Sequence, residues 1–314
     1  MNKPLLFVLL LFISNYLQAQ TFYNVSSNPT DNASQITNTA VITPPSSSPT
    51  ITGPMKAGDL VIVFAHYKAN SATFTMPATG GQTWLTATGP TGGSGQAFII
   101  YWCRFNGTWT ANPSVRGPGT AGLSAIMYVY RPSNSTNLWD IHVPASNGSL
   151  TTNINTDIPA GGSPVSTNGL TTTVSNTVTM AFWATPAAST WGTPNGAGWS
   201  KAGTIAQYRN TAGQSHTAAY NIRATAGAVA PVSQKRLATG ANIATQTSII
   251  SWNEAPPPAN DDCANAITLP LASTCTSTGG TLYSATAQST AERCATRKDV
   301  WYKFTVPSYV AGMG

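Results

Sequence analysis

Three histidines, four cysteines and nine carboxylates are the whole stock from which this 314-residue chain could build acid–base, nucleophilic or metal chemistry. His66 alternates in step with Ile62 and Phe64, and His216 with Tyr220 and Ile222, which reads as strand histidines rather than ligands. Asp140 stands two residues before His142, as in the start of a Ser-His-Asp arrangement, but no Gly-x-Ser-x-Gly turn occurs to present a nucleophile. Glycoside hydrolysis needs two carboxyl groups facing each other across a cleft. Before residue 255 the chain supplies Asp31, Asp59, Asp140, Asp157 and Glu254. Asp59 reads as a turn residue ahead of a strand and Glu254 borders a linker, so these carboxylates are expected at turns and on the surface. Neither a phosphate-binding glycine loop nor a His-Glu-x-x-His motif is present. The expectation is a chain without a catalytic site and without a cofactor.

Residues 1–19 bear on the cysteines. Lys3 precedes the apolar run from Leu5 to Ile13, and Leu17-Gln18-Ala19 follows as a cleavage site, the layout of a secretory signal peptide. That run is too short to span a bilayer, and no later segment is long and apolar enough either. Export through an oxidising route makes Cys263, Cys275 and Cys294 disulfide candidates. Cys263 and Cys275 are closest in sequence, connectivity stays open, and an odd number leaves one thiol over. A zinc site is not indicated, because no Cys-x-x-Cys spacing or neighbouring histidine accompanies them. Cys103 sits in Tyr101-Trp102-Cys103-Arg104 and reads as a small buried hydrophobe. Asp261 and Asp262 are weak candidates for calcium, which takes oxygen ligands; the competing reading is a turn cap.

Tryptophan offers the positive signal. Trp109, Trp139 and Trp191 lie beside Gly, Pro, Ser and Asn rather than inside apolar runs. A flat indole on a loop can stack on a sugar ring while Asn and Thr bond its hydroxyls. These three are the candidate glycan contacts, with capping of the ends of the fold as the plainer alternative. Trp84 and Trp199 recur at matching places in an internal repeat and are assigned to the core.

Composition sets the scaffold that must carry them. Charged residues make up 8% of the chain, against about 25% in ordinary soluble domains. Gly and Pro number 27 and 22. Loss of Lys3 takes the formal charge from +6 to +5, and the cations are scattered, which argues against a nucleic-acid surface. Leu60 to Ala65, Ala97 to Trp102 and Ala125 to Tyr130 are apolar, β-branched and aromatic runs between turn clusters, and Val174 to Trp183 alternates with period two.

Asp59-Leu60-Val61-Ile62-Val63-Phe64 overlies Thr177-Val178-Thr179-Met180-Ala181-Phe182. Downstream each copy has a proline, a glycine-rich turn and a tryptophan, then Gly95-Gln96 or Gly213-Gln214. These lead into Phe98-Ile99-Ile100-Tyr101 and Thr217-Ala218-Ala219-Tyr220. The expected fold is all-β: an antiparallel, jelly-roll-like β-sandwich with internal duplication over residues 20–254. A proline-rich linker at 255–260 and a partial second β-sandwich module at 261–314 follow. Two separate sandwiches are the alternative.

Ala57-Gly58-Asp59-Leu60-Val61-Ile62-Val63, the Gly-rich turn with Trp84, Tyr101-Trp102 and Ala125 to Arg131 resemble a jelly-roll module of bacterial secreted and phage-tail proteins. Asn260-Asp261-Asp262-Cys263-Ala264-Asn265-Ala266-Ile267, Cys275, Cys294 and Asp299-Val300-Trp301-Tyr302-Lys303-Phe304 resemble a β-sandwich module of large Bacteroidota surface proteins. That resemblance implies a multi-module exported protein of the type IX route, and it implies that the second module is truncated here. The functional expectation is a secreted or cell-surface, non-catalytic adhesion protein whose partner is an extracellular polysaccharide or cell-surface glycan. The alternatives are the targeting region of a larger hydrolase, or a stalk component. Oligomeric state is left open.

Overall fold

The computed structural model describes residues 20–26, 39–69, 73–76, 80–93, 95–117, 122–147, 164–187, 190–202, 207–210, 214–237, 244–270, 277–286 and 298–305. The signal-peptide segment, Asp31 and Asp157 lie outside them. In the first half of the chain the strands are β1 (Thr21–Val25), β2 (Thr39–Val41), β3 (Leu60–Tyr67), β4 (Leu85–Gly93), β5 (Gln96–Arg104), β6 (Ser114–Arg116) and β7 (Leu123–Arg131). In the second half come β8 (Leu138–Asn147), β9 (Val165–Ser166), β10 (Leu170–Thr172), β11 (Thr177–Thr185), β12 (Thr190–Trp191) and β13 (Ser200–Lys201). Then follow β14 (Gln207–Asn210), β15 (Gln214–Arg223), β16 (Gly227–Val229), β17 (Ser233–Gln234), β18 (Arg236–Leu237) and β19 (Gln246–Ala255). No helix among the described residues is long and apolar enough to cross a membrane.

Each half builds one antiparallel sheet. The first has the order β1-β7-β3-β5-β4, and the second has β8-β19-β11-β15-β13 with β14 also on β15. The duplication therefore holds strand by strand. Phe64 pairs with Ile100 and Ile126, as Phe182 pairs with Ala218 and Ser248. This register makes His216 the counterpart of Phe98, one residue away from the match that starts at Phe98 and Thr217.

The two sheets face each other across one aromatic core. Leu60, Ile62 and Phe64 of β3 meet Val178, Met180 and Phe182 of β11 there. Phe64 and Phe182, equivalent in the two halves, lie 4.9 Å apart between ring centroids, and such pairs add about 0.5–1.5 kcal/mol to area burial. The outer faces are covered too. Residues 42–57, the β2–β6 pair, Trp84 and Phe105 lie over the first sheet. Trp183, Trp191, Trp199, Val229 and Val232 form the outer layer of the second. Burial on both faces explains why every residue of β3 is apolar or buried, where a one-sided sheet would alternate.

After β19 the chain turns at Pro256–Pro258 and folds back onto the first strand of the second half. Asp262 caps a 3-10 turn at Cys263–Asn265. Strands β20 (Ile267–Thr268) and β21 (Tyr302–Lys303) pair in parallel. Asn260 receives the Trp301 amide at 2.9 Å and donates from its side chain to the Trp301 carbonyl at 3.0 Å. The two segments that carry the second resemblance thus pair with each other. Ser284 docks on β8, its hydroxyl donating to Leu138 O at 3.3 Å.

Candidate functional site

Of the three candidate glycan contacts, the structure leaves only Trp109 part-exposed. It stands on the loop from β5 to β6, and a buried carboxamide holds it. Gln82 Oε1 accepts from the Trp109 indole N–H and the Asn106 amide, both at 3.0 Å. The Gln82 amide nitrogen Nε2 donates to Thr83 O at 3.1 Å and Arg104 O at 3.0 Å. Phe105 packs edge-on against Trp109 at 4.7 Å, and Trp84 lies tilted at 5.6 Å. The loop also needs Gly80: at φ +53° its Cβ would lie 2.1 Å from the Thr108 carbonyl oxygen.

Beside Trp109 runs an open groove of about 370 Å³. Pro44, Pro54, Met55, Phe105 and Trp109 give it apolar walls, while Ser46, Thr110 and Asn112 add neutral polar groups. A second groove of about 420 Å³ follows residues 46–54 and shares Ser46 and Pro54 with the first. No charged side chain lines either groove.

The shared rim at Pro54 is fixed by an ion pair. Arg131 donates to both carboxylate oxygens of Asp59, at 2.9 and 2.8 Å, and to Pro54 O at 2.9 Å. The hydrogen bond that Arg131 donates to Asp59 raises the Arg131 pKa, outweighing partial burial. Asp59 also accepts from the Lys56 amide at 2.8 Å, and the Tyr23 hydroxyl donates to Gly53 O at 3.0 Å. The sequence places Asp59 at a surface turn. It sits at the turn, but 1% exposed, because its partner Arg131 ends a strand 72 residues later.

Trp139 and Trp191 correct the expectation. Trp139 is 0% exposed, on β8 within the inter-sheet core. Trp191 is 1% exposed and packs under the outer layer of the second sheet. Neither indole has a face for a ligand, since strand pairing with Glu254 and Arg236 draws these segments inward. Trp199 is buried, and Trp84 packs half-buried over the first sheet.

The remaining candidates are held in structural contacts. Cys263 is an exposed free thiol, and its two candidate partners, Cys275 and Cys294, lie outside the described residues. Cys103 is a buried free thiol whose pKa burial raises. Asp261 accepts from the Thr286 amide and hydroxyl at 2.6 and 2.7 Å, and Asp262 caps Ala264 N at 3.1 Å. No cluster of three or more His, Cys, Asp or Glu able to hold a metal ion occurs among the described residues.

Asp140 and Glu254 are likewise buried, not superficial. Asp140 receives Ser284 N at 3.3 Å and pairs with Lys298. Glu254 accepts Ser133 N at 2.7 Å and the Ser133 hydroxyl, pinning the turn between the two halves. Burial raises the Glu254 pKa despite these bonds. His142 Nε2 accepts from the Thr173 amide at 2.9 Å, so it is turned to the backbone while Asp140 serves the C-terminal segment. No family model, curated protein or solved structure matches the chain.

Proposed function

We propose that the chain is an exported, cell-surface or secreted, non-catalytic binding protein that takes a neutral polysaccharide along the Trp109 groove. The observation that carries this reading is an indole immobilised by Gln82 and Phe105, part-exposed in a groove without charge. Ring stacking needs a rigid apolar face, and Ser46, Thr110 and Asn112 offer neutral partners for hydroxyls. Uronate or sulfated chains find no cation in the groove lining. Two adjoining grooves sharing Ser46 and Pro54 favour several units of a linear chain over a single ring. Asp59, Asp140 and Glu254, each engaged in a structural contact, support a binding role over hydrolysis. The leader-like residues 1–19 and the surface-module resemblance of residues 260–304 support export.

The test is a glycan array and affinity electrophoresis on neutral and acidic polysaccharides, with wild type and Trp109→Ala. Binding to neutral chains that disappears in the variant is expected. No binding by the wild type, or equal binding by Trp109→Ala, overturns the reading.

A further inference from the structure

Where the C-terminal segment returns to the sandwich, a lysine amine meets a buried carboxyl group away from the Trp109 groove. Lys298 Nζ touches Asp140 Oδ2 across a sequence separation of 158 residues. Asp140 is 6% exposed and lies on β8, the strand that ends the second sheet, opposite Asn253 of β19. The backbone after Lys298 is tied down as well. The Asp299 amide donates to Thr286 O at 3.4 Å, and the Trp301 amide to Asn260 O at 2.9 Å. Both groups are therefore held in contact by structure around them, the condition under which a slow bimolecular reaction becomes a fast intramolecular one.

The carboxyl group is polarised on both oxygens. Its Oδ1 accepts from the Ile141 amide at 2.9 Å, and its Oδ2 accepts from the Ser284 amide at 3.3 Å. Backbone donors so placed stabilise the negative charge that develops on a carboxyl oxygen when its carbon is attacked.

The amine is activated from its own side. The Arg104 guanidinium is anchored beside it, with Nε donating to Trp139 O at 2.7 Å. Burial and the Arg104 charge push the Lys298 pKa down to about 8. A desolvated lysine next to a second cation is a lysine prepared to act as a nucleophile. An ion pair left unreacted here carries a desolvation cost that the attraction of its charges often fails to repay. A neutral amide in its place removes that cost.

We propose that Lys298 and Asp140 join in an intramolecular isopeptide bond. The pair already holds every atom the reaction needs. A proton passes from the ammonium to the carboxylate, and the freed Nζ lone pair attacks Asp140 Cγ. The C–N bond forms, one Cγ–O bond breaks, and that oxygen leaves as water with two of the three amine protons. No oxidant or co-reactant enters, and Lys298, only partly buried, leaves the water a way out. The bond would fasten the C-terminal segment to the edge of the second sheet. It is independent of any ligand in the groove.

The test is mass spectrometry of the full chain, reduced and denatured, followed by protease digestion. A wild-type mass lower by one water than the sequence from its observed N-terminus is expected, together with a peptide containing Lys298 joined to one containing Asp140. Lys298→Arg, which keeps the cation, and Asp140→Ala should each show the full mass, and Lys298→Arg should melt at a lower temperature than wild type. A wild-type chain of full mass that digests to separate peptides holds only an ion pair and overturns the proposal. A missing water that persists in Lys298→Arg overturns it too.

Discussion

Truncating Trp139 and Trp109 to alanine should have opposite consequences, because one indole holds the sheets together and the other faces the groove. Trp139 is fully buried. A tryptophan removes about 150–250 Å² from water, which at about 25 cal/mol per Å² amounts to roughly 4–6 kcal/mol. Measured truncations of buried Phe and Trp cost about 3–5 kcal/mol. We expect Trp139→Ala to lose about 4 kcal/mol of unfolding free energy, out of the roughly 5–15 kcal/mol that domains have, while its folded molecules bind glycan normally. Trp109→Ala should lose about 1–2 kcal/mol and lose binding. Guanidinium unfolding followed by far-UV circular dichroism, with affinity electrophoresis in buffer, separates the two effects. A Trp139→Ala protein within about 1 kcal/mol of wild type, or one that is stable yet fails to bind, would refute the burial argument.

Arg131→Ala leaves the Asp59 carboxylate buried and unpaired, and should cost about 3–5 kcal/mol; denaturant titration measures this. Because Arg131 also holds the Pro54 carbonyl, affinity should fall too, and unchanged affinity would detach the ion pair from the groove. Gly80→Ala forces a Cβ against the Thr108 carbonyl, so glycan affinity should drop sharply for a stability loss of about 1–3 kcal/mol. Glu254 has a raised folded pKa, so between the unfolded and folded values the native state binds more protons. Its contribution to stability is greatest in acid and falls as pH rises from about 4.5 through the folded pKa. The stability difference between wild type and Glu254→Gln should shrink over that window, and a difference that grows with pH would contradict the burial of the carboxylate.

What could be read without coordinates were features written in neighbouring residues. Leu60–Tyr67 and Thr177–Thr185 declare themselves as strands through local side-chain types, and their match predicts a duplicated all-β fold. The sequence match is one residue out of register at Phe98, because Thr217-Ala218-Ala219-Tyr220 imitates the pattern, and only hydrogen bonding to β11 sets Phe98 against His216. Trp139 and Trp191 have the flanking composition of exposed loops. Their burial depends on strands about 115 and 45 residues away in sequence, through contacts that no local window contains.

The same holds for the polar residues. Gln82 looks like an unremarkable loop residue until the backbones of Thr83, Arg104 and Asn106 close around it. Asp59 finds Arg131, and His66 finds His216, across separations of 72 and about 150 residues. Local side-chain chemistry determined that this chain forms strands and repeats itself. Which indole keeps a face to water, which carboxylates are buried, and which imidazoles meet were decided by the facing of two sheets, because exposure and pairing are properties of the assembled surface and not of the residue.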